Sequence, residues 1–230
     1  MNINKIKIEA VIFDLDGTLV DSEPNYFASD RRLLAEYGIY NLDEELKTKY
    51  VGFGSREMME DIKRNYPIAE TIDNLMLKKN SYYIEIAQAN TVVFPEMLRF
   101  LENLKQNGYP VAVASGSSPT VIEMVLSVTN TRHYFDIVLS AEQVAKGKPA
   151  PDIFLEAARR LGIAAGNCLV VEDSHYGVEA AKNAAMHCIA IPYLLQEPLH
   201  ASFSKADMVF KQGIAAFTAD KALAWINDRR

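Results

Sequence analysis

The sequence predicts an α/β protein: a doubly wound, Rossmann-like parallel sheet with an inserted α-helical domain. Three observations predict it. Short β-branched runs recur along the chain, apolar at consecutive positions rather than alternating, as in strands covered on both faces. Helical stretches separate them, and regular strand–helix alternation builds parallel sheets flanked by helices. Finally, residues 22–91 carry only helical periodicity, although a crossover between parallel strands needs a single helix.

Strands are expected at 10–13, 111–114, 137–139, 169–171, 189–191 and 208–210. Helices are expected at 96–106, 119–127, 151–161, 177–184 and 215–230. Pro95, Pro119 and Pro151 fall at helix starts, where a missing N–H costs nothing. Gly108 and Gly162 sit where C-terminal caps belong, and Arg229 and Arg230 suit the negative end of a helix dipole. In the insertion the apolar spacing is Leu33, Leu34 and Tyr37, then Met58, Met59 and Ile62, then Leu75, Leu77 and Ile84. Residues 1–20 with 93–230 therefore read as one core domain, and 21–92 as a helical cap.

Composition bounds the function classes. The 230 residues are 49% hydrophobic and 23% charged, ordinary globular values that exclude disordered and fibrous chains. Lys and Arg number 24 against 30 Asp and Glu, a net charge of −6. An acidic chain with no basic run argues against nucleic-acid or anionic-membrane partners. The apolar runs are far shorter than the ~20 residues of a bilayer span. The start, MNINKIKIEAVIFDLD, lacks the pattern of a signal peptide. Cys168 and Cys188 lie inside apolar runs, as buried reduced thiols do, rather than as a disulfide or metal pair. These features predict a soluble, cytoplasmic protein.

Ligands of open α/β sheets bind outside the carboxyl ends of the strands. After the first expected strand come Asp14 and Asp16, in FDLDGT. After the second comes Ser115, in VASGSS, and after the fourth come Glu172 and Asp173, in VVEDS. Four carboxylates at one edge repel each other and resist losing water. A hard divalent cation relieves both, and Mg²⁺ suits an all-oxygen, partly hydrated ligand set. Lys148, in AKGKPAPDIF, is the nearby positive charge, and lysine with metal would leave the site one net negative charge. The Ser115 hydroxyl and the N–H groups of Gly116 and Ser117 are suited to phosphate oxygens.

Taken together, DLDGT, Ser115, Lys148 and Glu172–Asp173 resemble, in order and spacing, the four motifs of the haloacid dehalogenase superfamily. The branch resembled is that of phosphatases and phosphomutases with a helical cap. The resemblance implies Asp14 as nucleophile, Asp16 as general acid and base, and Ser115 and Lys148 as phosphoryl-orienting groups. It implies Mg²⁺ held by Asp14, the Asp16 carbonyl, Asp173 and Glu172, a small phosphorylated substrate, and a monomer.

In the cap, VGFGSRE places Gly52, Ser55 and Arg56 as candidate substrate contacts, Arg56 suiting a second phosphate. The same letters also fit simple helix initiation at Ser55. His175 adjoins the fourth motif, and isolated histidines are commonly structural. Asp16 argues against dehalogenases and phosphonate-cleaving relatives, which lack this second acid. The β-phosphoglucomutase subgroup resembles the cap loop, but Tyr26, Ser118 and Val51 stand where that subgroup has His, Lys and Lys. A phosphatase of sugar or polyol phosphates is the expectation, with a phosphomutase the alternative and a silent relative the third reading.

Overall fold

The computed structural model describes residues 7–40 and 55–229, apart from the side chains of Ser55 and Glu57. It divides into two compact units, Met1–Asp21 with Val92–Arg230, and Ser22–Thr91. In chain order the strands among the described residues are β1 (Ala10–Phe13), β2 (Val20–Asp21), β3 (Val92–Val93), β4 (Val111–Ser115), β5 (Ile137–Ser140), β6 (Cys168–Glu172), β7 (His187–Ala190) and β8 (Met208–Val209). The α-helices among the described residues are α1 (Glu23–Ala35), α2 (Ser55–Asn65), α3 (Ile72–Asn90), α4 (Pro95–Gln106), α5 (Pro119–Val128), α6 (Asp152–Leu161), α7 (His175–Asn183) and α8 (Ala219–Asn227).

Six strands form one sheet in the order β5-β4-β1-β6-β7-β8, and every neighbouring pair is parallel. The apolar runs are continuous because both faces are covered. On one face, Ala10, Ile12, Ala112, Ala114, Cys168, Val170, Cys188 and Ala190 pack with Phe154 and Ala157 of α6 and Val178 and Ala181 of α7. Small strand residues there let the helices lie close. Side chains alternate across a strand, so Phe13 serves the opposite face. It meets Phe100 of α4 at 5.7 Å and Phe135 at 6.3 Å, and Phe100 meets Phe217 at 5.9 Å. Both cysteines are free and buried, and burial pushes the Cys168 thiol up to about 11 and that of Cys188 higher.

The structure adjusts several sequence expectations. Pro95 and Pro119 open their helices, but Pro151 is the cap residue preceding α6. The helix expected from 215 begins at Ala219, because the Thr218 side chain accepts the Lys221 N–H at 3.4 Å and caps it there. Helix α7 begins at His175, two residues before the expected start, capped by Ser174. The antiparallel ribbon of β2 and β3 is absent from the sequence reading, since two residues per strand carry no periodicity.

The helical unit packs Leu33 and Leu34 of α1, Met58, Met59 and Ile62 of α2, and Leu75 of α3 into its own core. Leu77 is 68% exposed, contrary to the expected spacing. The buried row of α3 is Leu75, Lys79, Tyr83 and Ala87, one residue every turn. Lys79 Nζ lies 2.7 Å from Asp30 Oδ1, with both side chains buried, and Tyr26 stacks on Tyr83 at 4.1 Å. An apolar pattern search passes over this row because a lysine interrupts it. No helix of the described residues is long and apolar enough to cross a membrane.

Candidate active site

Strand β1 lies between β4 and β6, so the sheet continues in opposite directions on its two sides. That is a topological switch point, where the loops at the strand ends part and leave a crevice. Phe13 registers with both Val113 and Val171, so the next residues on the three strands, Asp14, Ala114 and Glu172, fall level. The Asp14 N–H donates to the Val171 carbonyl at 3.0 Å, which extends the ladder and fixes the Asp14 backbone.

Lys148 enters from the loop before α6. Its Nζ lies 2.5 Å from Asp14 Oδ1, 2.5 Å from Glu172 Oε1 and 3.3 Å from the Ala114 carbonyl, which occupies all three donors. The ammonium also lies 5.0 Å from the centroid of the Phe154 ring. Glu172 is fully buried, and its Oε2 accepts the N–H of Asp173, the N–H of Ser174 and the Ser174 hydroxyl, each at 3.0 Å. Ser174 Oγ in turn accepts the Gly177 N–H at 3.0 Å. A Cβ on Gly177 would lie 1.8 Å from the Glu172 carboxyl carbon, so helix α7 approaches this closely only with glycine there. Sequence reasoning misses Ser174 and Gly177; the signal available was a cap residue directly after two acids, with glycine three residues on.

Asp173 is set against the first loop. Gly17 has φ +76°, and a Cβ there would lie 2.5 Å from Asp173 Oδ2, while Thr18 Oγ1 donates to Asp173 Oδ1 at 3.2 Å. Asp16 takes a different direction. Its Oδ2 accepts the Ser117 hydroxyl at 2.7 Å and the Ser115 hydroxyl at 3.2 Å, and its buried Oδ1 has no hydrogen-bond partner among the described residues. Ser115 Oγ also accepts the Ser117 N–H at 3.0 Å, so the donor expected to face phosphate is engaged within the loop. Ser140, at the end of β5, supports this loop by donating to the Ser117 carbonyl at 2.6 Å. A Cβ on Gly116 would meet nothing within 4 Å among the described residues.

Asp14, Glu172 and Asp173 each present an oxygen within 4.8 Å of the others, and these donors could hold a metal ion. Burial pushes the Asp14 carboxyl up to about 8; Lys148 opposes the rise, and Glu172 and Asp16 reinforce it. Burial depresses Lys148, yet Asp14 and Glu172 together hold it above the ordinary lysine value. One buried ammonium therefore does not neutralise this carboxylate group, and a hard, all-oxygen donor set with surplus negative charge fits a small divalent cation.

Gly52 lies outside the described residues, as does the side chain of Ser55. Arg56 is exposed on α2 and pairs with Asp73 of the same unit. The His175 ring lies tilted against that of His200, with centroids 4.2 Å apart, and burial, then His200, lowers its pKa.

A parallel sheet whose switch point gathers an aspartate pair, a bridging lysine and a second acidic pair defines a class of α/β hydrolytic enzymes. Residues 11–191 match the family of haloacid dehalogenase-like hydrolases, and the chain belongs to it. It is 37% identical over 186 residues to a bifunctional riboflavin kinase/FMN phosphatase of Arabidopsis thaliana, covering 80% of this chain but 48% of that protein. The chain thus spans about half the length of that relative. It is 32% identical over 186 residues to a phosphorylated carbohydrates phosphatase of Thermotoga maritima, covering 79% of this chain and 84% of the relative. Among solved structures, CbbY from Rhodobacter sphaeroides in complex with phosphate superposes with a TM-score of 0.79 at 26% identity, covering 90% of this chain and 95% of that one.

Proposed function

We propose that this protein is a Mg²⁺-dependent phosphatase of small phosphorylated metabolites, of the sugar or polyol phosphate class, working through an aspartyl-phosphate on Asp14. The observation that carries the reading is Lys148 bridging Asp14 and Glu172 at the switch point, beside Asp173. A buried lysine against a buried carboxylate holds the nucleophile in place and supplies positive charge where phosphoryl oxygens collect. The relative that acts on phosphorylated carbohydrates supports the substrate class.

In this reading an Asp14 carboxylate oxygen attacks phosphorus and forms an acyl phosphate while the ester P–O bond breaks. Asp16 gives its proton to the departing alkoxide. It then takes a proton from a water molecule, which attacks phosphorus, breaks the Asp14–phosphorus bond and releases inorganic phosphate. Lys148 orients the phosphoryl oxygens, and the Ser115 hydroxyl joins it by exchanging its Asp16 Oδ2 acceptor for a phosphoryl oxygen. Asp14, Asp173 and the Asp16 carbonyl would hold Mg²⁺, with Glu172 directly or through water. When bound, the ion supplies charge stabilisation to the transferring phosphoryl group. Both Glu172 oxygens already accept hydrogen bonds, so this side chain also locks Lys148. The inserted helical unit is assigned the choice of substrate, as a cap.

The test is phosphate release across sugar, polyol and nucleoside monophosphates, with Mg²⁺ and with chelator. The panel includes β-glucose 1-phosphate with a bisphosphate primer. Metal-dependent phosphate release on sugar or polyol phosphates supports the reading. Conversion of β-glucose 1-phosphate to glucose 6-phosphate without free phosphate would replace it with a phosphomutase.

A further inference from the structure

One side chain outside the assigned set joins three parts of the site within the α/β unit. Tyr193 follows β7, and its N–H donates to the Asp173 carbonyl at 3.4 Å. Its ring carbon Cδ2 would lie 3.5 Å from a Cβ placed on Gly17, so the ring packs against the first-motif turn. Its hydroxyl donates to Asp21 Oδ1 at 3.1 Å. Asp21 ends β2, whose preceding turn closes by the Gly17 N–H donating to the Val20 carbonyl at 2.9 Å and by a bridge between Asp16 and Val20. A rigid path therefore runs from the Tyr193 hydroxyl through β2 and this turn to Asp16.

We infer that Tyr193 is a positioning residue for Asp16: its hydroxyl pins Asp21, and the pinned turn holds the Asp16 carboxyl where it serves the leaving oxygen. This rests on the reading of Asp16 as the proton donor. Oxygen leaving groups differ in how much they need that proton. Phenolate from phenyl phosphate needs it more than 4-nitrophenolate, whose negative charge is delocalised. Loosening the turn should therefore penalise poor leaving groups selectively, which loss of stability alone would not do.

The experiment compares kcat/KM for phenyl phosphate and 4-nitrophenyl phosphate in the full chain with Mg²⁺, for Asp16→Asn, Tyr193→Phe, Asp21→Ala and Asp21→Asn, with melting followed in parallel. General acids contribute on the order of 10²–10⁴-fold, so Asp16→Asn should lose about 100-fold or more on phenyl phosphate and much less on 4-nitrophenyl phosphate. Tyr193→Phe keeps the ring and removes only the hydroxyl. It should lose roughly 5- to 10-fold on phenyl phosphate and less than about twofold on 4-nitrophenyl phosphate, a small fraction of the acid's full contribution. Asp21→Ala should reproduce that pattern, and Asp21→Asn, which keeps an acceptor oxygen, should retain wild-type selectivity. Equal losses on both substrates in Tyr193→Phe and Asp21→Ala, with Asp16→Asn selective, would overturn the inference. An Asp16→Asn variant without selectivity would overturn the reading of Asp16, and the inference would fall with it.

Discussion

Gly177→Ala adds one methyl group to helix α7, at a point 1.8 Å from the carboxyl carbon of Glu172. Neither side can give way cheaply. The glycine N–H is committed to Ser174 Oγ, and Glu172 is fully buried with four donors on it: Lys148 Nζ, the N–H of Asp173, and the N–H and hydroxyl of Ser174. Displacing the carboxylate separates it from Lys148, and breaking a buried ion pair costs about 3–5 kcal/mol. The hydrogen bonds to the same carboxylate belong to one network, so their losses overlap with this figure rather than adding to it. At about 2–4 °C per kcal/mol for a chain of roughly this size, the melting temperature should fall by about 6–20 °C. Activity should fall by at least about tenfold, since one bond of 1.4 kcal/mol lost in the transition state already has that effect. Differential scanning calorimetry and phosphate release measure the two. A variant within about 1 kcal/mol of wild type and fully active would show that Glu172 has room to move and that its packing is not what places Lys148.

Three other outcomes are expected. Asp14→Asn should abolish turnover in Mg²⁺ while leaving the melting transition in place; half the wild-type rate would end the covalent mechanism. In chelator the same variant should be more stable than wild type by a margin that grows with pH. The native Asp14 carboxyl titrates at about 8 against an ordinary value of 3.8, so the folded protein binds the extra proton and loses stability as pH rises between those values. Urea midpoints at several pH values across that window check this, and a pH-independent margin refutes it. In the helical unit, Lys79→Met leaves Asp30 buried without its cation and should cost about 3–5 kcal/mol, whereas Lys79→Met with Asp30→Leu should recover most of it; equal denaturation midpoints for the single and double variants would contradict that.

Much of this protein is legible in its sequence, and the parts that are not have a common cause. The sheet strands read correctly because a strand buried on both faces must be apolar at successive positions, and AVIF and VAVAS satisfy that locally. Asp14, Ser115 and Glu172 stand out in the sequence because polar residues at strand ends are conspicuous after apolar runs. What the chain does not display locally is pairing across distance. Lys148 is 134 residues from Asp14, and only the strand order that seats β1 between β4 and β6 brings it to both carboxylates. The Lys79–Asp30 and Arg56–Asp73 pairs are likewise contacts between elements, which the chain around each residue does not display. Gly177 and Tyr193 carry no pattern of their own, because their meaning is a contact: a helix pressed on a carboxylate, and a ring laid on a turn. Periodicity records which face of an element is buried, so the sequence by itself determined the layers and the acidic strand ends. Which buried group meets which is a property of register and strand order, and that only the tertiary structure decided.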